Sequence, residues 1–243
     1  MLRRTTMYIF IVIMFSLCFL FTVNAANDPK IYAKDNILAV GNYNVNATSS
    51  DLSFIARVEV NGKAIIDEGS ELLYIVPEKN IDGWEKARFN DSGWEKGISG
   101  IGYADGDDNT VLPGWVASVY SRYRFDVQNA NSTKEITFLL DYDDAYILWL
   151  NDVEVGRSDN IKAVVPDGVP GFNEPLGKIA VDHEATVLPA GKPNANRWKS
   201  AVGWGHNQLG KHVVVVSYGG NSGLSVNPIE SLVTTWSYIK SKN

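Results

Sequence analysis

Between Trp84 and Arg157 the chain is written as short alternating segments separated by turn residues, and an antiparallel β fold is the structure that pattern specifies. Tyr120 to Val127 alternates in polarity, while Ile136 to Leu140 and Ala145 to Leu150 are apolar runs suited to buried strands. Asn61-Gly62 and Asn151-Asp152 supply the positive backbone angles that two-residue hairpin turns need. Trp84, Phe89, Trp94 and Tyr103 are spaced through the turn-rich part and provide bulk for a core.

Ahead of this stretch, Arg3 and Arg4 precede an apolar run from Met7 to Val23, and Val23-Asn24-Ala25 offers the residues that a signal peptidase reads. Residues 1–25 are therefore expected to be a removable export signal; an uncleaved anchor is the rival, since the run is barely long enough to span a bilayer. Removal takes two of the 22 basic residues and none of the 28 acidic ones, so the formal charge moves from −6 to −8. That balance argues against nucleic acid and anionic membranes as partners, because neither a phosphate-binding set nor a polybasic segment is present. Cys18 is the single cysteine and leaves with the signal, which excludes disulfides, thiolate metal sites and a cysteine nucleophile. An exported chain without disulfides must be held by its core, and the 218 residues that follow position 25 suffice for one large sandwich.

The segments Phe89-Asn90-Asp91-Ser92-Gly93-Trp94, Gly102-Tyr103 with its acidic loop, Tyr120 to Val127, and Asp143-Asp144 leading to Leu150-Asn151 together resemble the galactose-binding-domain-like family. The resemblance implies a jelly-roll β-sandwich of the kind found in secreted bacterial proteins and beside glycoside hydrolases. It covers about two thirds of the chain and is more specific for fold than for function. Residues 64–226 are expected to form this sandwich, with 26–63 as an N-terminal strand extension. Asn36 to Phe54 in that extension resembles the family's closing strands, a role that His212 to Val226 also fits. The early copy is then either an ordinary pair of strands or the remnant of a preceding domain, added at an edge. Ile179 to Val181 reads as one strand within a long Gly- and Pro-rich excursion. For 227–243, Pro228 at a first helical position, Glu230 after it, and Ile229, Leu232, Val233, Trp236 and Ile239 at helical spacing predict a C-terminal amphipathic helix.

Two places carry candidate chemistry. Asp105, Asp107 and Asp108, with Gly106 allowing a sharp turn, form an oxygen-rich cluster of the kind Ca2+ takes, with a structural role; a solvated turn is the plainer account. Galactose-binding-like sandwiches often carry such a structural calcium. Trp198, Trp204, His206 and Asn207 lie among glycines in one loop, and Trp115 is a further aromatic candidate. Aromatic faces beside amides suit a sugar ring, although the same tryptophans can serve as a lid on the sandwich. Asp141, Asp143 and Asp144 can serve as ligand or metal oxygens at the end of the sandwich, but they read first as strand-end residues that accept backbone donors. His183, His206 and His212 make no zinc-protease motif, and neither a nucleophile elbow nor a phosphate loop occurs. The expectation is a secreted, non-catalytic binding module, most simply for carbohydrate. An extracellular or envelope protein-interaction domain and a glycosidase or polysaccharide lyase are the alternatives.

Overall fold

The computed structural model describes residues 29–104, 106, 108–186, 197–198, 212–218 and 227–229. The chain forms β1 (Asn36–Tyr43), β2 (Leu52–Val60), β3 (Lys63–Ile66), β4 (Glu71–Ile75), β5 (Glu95–Ile98), β6 (Ile101–Tyr103) and β7 (Thr110–Val111). After these come β8 (Ser118–Phe125), β9 (Glu135–Asp143), β10 (Ala145–Leu150), β11 (Val153–Arg157), a single helical turn α1 (Asp159–Lys162), β12 (His212–Ser217) and β13 (Asn227–Ile229). Among the described residues the strands make two sheets, one ordered β11-β10-β1-β8-β4-β5 and the other β13-β12-β9-β2-β6-β7, with β3 paired to β2. All neighbours run antiparallel except β6 and β7.

The sheets share one core. Leu38, Val40, Tyr123 and Leu148 from the first sheet are buried in the same cluster as Phe54, Val58, Phe138 and Leu140 from the second. The chain is mainly β and sandwich-like, as expected. The first sheet is covered on its other face too: Ile37, Ala39, Tyr43, Tyr120, Ile147 and Trp149 pack with Trp84, Ile161, Val165 and Ile179 from the connecting segments. Burial on both faces accounts for the near-continuous apolar sequences of β1 and β10. The Asn61-Gly62 turn joins β2 to β3 with φ values of 50° and 78°, and Asn151-Asp152 joins β10 to β11 with 46° and 77°, both as the sequence predicts.

Three expectations are corrected. The N-terminal strands are not an added edge pair: β1 lies between β10 and β8, and β2 between β9 and β6, so each is interior to its sheet. A boundary after residue 63 would cut through β3, whose Lys63 pairs with Val60. β1 and β2 therefore supply a core strand to each layer. At the other end, Asn227–Ile229 enter no helix; they pair with β12, Val214 standing opposite Pro228. The rest of the expected 227–243 helix lies outside the described residues. Ile179 to Val181 forms no strand, and Ile179 instead buries in the outer cluster over the first sheet.

Candidate functional site

The strand register brings one set of loops together. Tyr43 stands opposite Ser118 on one side and Ala145 on the other, Leu52 opposite Tyr103, and Ser53 opposite Asp143. The β1–β2 loop, the segment between β6 and β8, and the β9–β10 crossover thus share one end of the sandwich. Asn44 ties them: its Nδ2 donates to the Tyr103 hydroxyl at 2.9 Å, to the Val116 carbonyl at 3.1 Å and to the Asp51 carbonyl at 3.5 Å. The Tyr103 hydroxyl donates in turn to the Ser49 carbonyl at 3.2 Å. Burial raises the Tyr103 pKa; the Asn44 hydrogen bond opposes this, and the charges of Asp143 and Asp51 add to it.

At the crossover the chain passes from one sheet to the other at Asp143 and Asp144. The Asp144 carboxylate accepts the Val45 amide at 2.7 Å and the His183 amide at 3.3 Å. His183 lies flat on Tyr142, ring centroids 3.9 Å apart, with its Nδ1 2.8 Å from the Tyr142 carbonyl. These contacts fix the neighbouring Glu184. Carboxylate oxygens of Asp51, Asp143 and Glu184 all lie within 4.8 Å of one another. Three hard, anionic oxygens from three separate segments are a donor set that fits Ca2+ rather than a softer ion. Burial pushes the Asp144 carboxyl up to about 6; its two backbone hydrogen bonds act against this, while Asp182 and Glu184 reinforce it.

The sequence-derived candidates divide between this end and elsewhere. Trp115 belongs here: 72% of it is exposed, on a backbone with φ 57° that follows Gly114 at φ 83°. Gly114 packs beside the Tyr103 ring, and Val116 is held by Asn44. Asp108 is here too, but buried, and it accepts the Ser53 hydroxyl at 3.1 Å. Its expected partners in a calcium loop, Asp105 and Asp107, lie outside the described residues, as do Trp204, His206 and Asn207. Trp198 is half-buried and spends its indole N–H on Asp67 at 3.1 Å, beside a sealed ionic knot. In that knot Arg197 donates to Glu68 at 3.2 Å, to Asp141 at 2.9 Å and to the Thr186 carbonyl at 2.7 Å. Trp198 is thus tied to Asp67, next to the β3–β4 turn.

Asp51 and Glu184 escaped sequence reasoning because neither stands in an acidic motif. Only the pairing of Ser53 with Asp143 and the docking of His183 bring them together. Asp141 and Asp144 do accept backbone amides, from Thr186 and from Val45 and His183, as expected of strand-end residues. The Phe89 to Trp94 segment is a structural corner: Asn90 caps the Ser92 amide, and Asp91 receives Arg122 at 2.7 Å and Arg124 at 2.8 Å. Comparison of the chain with protein-family models, with curated proteins and with solved structures returned no match.

Proposed function

We propose that this chain is an exported, non-catalytic carbohydrate-binding module of the galactose-binding-like, jelly-roll kind, whose binding end is the loop cluster around Asn44. The observation that carries the reading is Trp115, a large apolar ring held out in solvent on a turn whose neighbours are fixed. Burying such a ring elsewhere in the core would be the ordinary outcome, and exposing it on a locked turn suits stacking against the C–H face of a sugar. Asp51 and the neighbouring carboxylates supply acceptors for sugar hydroxyls at the same end. Where calcium is bound, Asp51, Asp143 and Glu184 are the residues that would hold it, and its charge would tie the β1–β2 loop to the crossover. Trp204, His206 and Asn207 enter this proposal by composition alone.

The test is retention on a panel of immobilised polysaccharides. Trp115→Ala is expected to abolish retention while leaving the melting temperature within a few degrees of the parent. Unchanged retention overturns the placement of the site. Turnover of a polysaccharide that stops when Asp143 is replaced would make the module an enzyme instead. In a separate measurement calcium is expected to raise the melting temperature, and chelator to reverse it, in the parent but not in Glu184→Gln.

A further inference from the structure

The cover over the outer face of the first sheet reaches Tyr120 and Ile75. Beyond them strand register carries a second set of side chains onto the same face. Leu73 stands opposite Arg122 on one side and Lys96 on the other, and Glu71 stands opposite Ile98. Arg124 follows Arg122 by the two-residue period of a strand. These residues line a groove of about 440 Å3, within the usual range of small-molecule sites. Leu73 is half-buried and Ile98 is 46% exposed, so the groove has apolar surface to offer as well as charge.

The charged groups of the lining are not equally available. Arg122 is sealed, and its donors go to Asp91 and to the carbonyls of Trp84, Lys86 and Ala87. Arg124 is 47% exposed and spends only Nη2, which donates to both Asp91 oxygens at 2.8 Å; Nε and Nη1 keep their hydrogens for another acceptor. Lys96 and Glu71 are exposed, and among the described residues neither side chain enters an ion pair or a hydrogen bond. The groove therefore offers two cations and one carboxylate on a chain whose formal charge is −6. Lys96 and Arg124 stand on strands two spacings apart, about 10 Å, so each is best met by its own acceptor. A simple dicarboxylate would meet both and be repelled by Glu71, whereas a simple cation would be held by Glu71 and repelled by the other two. A molecule with two carboxylates and one ammonium meets all three, and its carbon skeleton can rest on Leu73 and Ile98.

We propose that this groove binds an acidic amino acid or the free amino-terminal end of a short acidic peptide, its carboxylates taken by Lys96 and Arg124 and its ammonium by Glu71. The two sources share one chemistry, and the probes separate them. The full chain is titrated calorimetrically with L-glutamate and with the dipeptide Leu-Glu, with N-acetylglutamate, N-acetyl-Leu-Glu and Leu-Lys as controls. Glutamate, Leu-Glu or both are expected to bind saturably, and Leu-Lys not at all. Acetylation of the ammonium is expected to lower the affinity about tenfold, and so is Lys96→Ala. Glu71→Gln is expected to weaken the free-amine ligand and to close its gap to the acetylated form. Neither side chain is bonded within the fold, so both variants are expected to melt with the parent. Trp115→Ala is expected to leave these titrations unchanged even as polysaccharide retention is lost, which keeps this groove apart from the loop end. No saturable binding of glutamate or Leu-Glu overturns the proposal. Binding that Lys96→Ala and acetylation leave unaltered, or that Leu-Lys matches, overturns it as well.

Discussion

Asp91 accepts hydrogen bonds from Arg122 and Arg124, whereas Asp144 accepts its bonds from two backbone amides in a setting that also holds Asp182 and Glu184. Burial raises both carboxyls; at Asp91 the two arginines outweigh it and hold the group below its usual range, while at Asp144 burial wins. The signs of linkage are therefore opposite. A carboxyl whose folded pKa is raised favours the folded state most when protonated, so the Asp144 contribution is full below about pH 4 and lost as pH rises through about 6. A shift of about two units corresponds to about 3 kcal/mol. The stability of Asp144→Asn relative to the parent is expected to rise by up to that amount from pH 4 to pH 7, read from urea unfolding at each pH. Asp91→Asn is expected to run the other way, its deficit growing as the parent's carboxylate ionises above its depressed pKa. The strand-end role of Asp144 was legible from its place before an apolar run. Its pairing with His183 was not, because a contact across dozens of residues leaves no local pattern.

At the scale of elements, the strands and tight turns were legible because period-two alternation and Asn-Gly or Asn-Asp dipeptides are local signals. What holds the elements together was less so. Arg122 on β8 is fully buried, and it binds Asp91 and the carbonyls of Lys86 and Ala87, fastening the Trp84 segment onto the first sheet. Removing Arg122 leaves Asp91 with Arg124 but strips the Lys86 and Ala87 carbonyls of their buried donor, so Arg122→Met is expected to cost at least about 2 kcal/mol by denaturant unfolding. Gly102 on β6 marks a close approach of a different kind: a Cβ there would lie 1.9 Å from the Leu52 carbonyl oxygen and 2.6 Å from Asp108 Oδ1. Backbone cannot yield as a side chain can, and Gly102→Ala is expected to cost at least about 2 kcal/mol. A smaller effect would mean that β6 shifts away from β2. The burial of both faces of β1 was written in Asn36 to Tyr43, where apolar residues fall on odd and even positions alike. An edge strand has no use for two apolar faces, and that was the signal against the edge placement.

For the molecule as a whole, the two-layer architecture followed from the sequence, whereas the path of the chain did not, since strand order is a property of pairings and not of composition. Interior strands in both sheets come from residues 26–63, which a sandwich beginning at residue 64 would set aside as an extension. A chain starting at residue 64 is expected to show no near-UV circular dichroism and no cooperative unfolding, whereas one starting at residue 29 retains both. A folded 64–243 fragment would return the N-terminal strands to an accessory role. Among the described residues no helix is long and apolar enough to cross a membrane.

The position of β1 also governs when the molecule can come into being. Its backbone is paired on one side by β8 and on the other by β10, so during synthesis β1 waits for Leu150 before both its edges are closed. At ordinary translation rates that delay is on the order of ten seconds. Throughout it the first sheet lacks the strand that closes the second edge of β1. Order of synthesis and order of assembly are thus out of step in the first sheet, whose central strand is made long before its second neighbour.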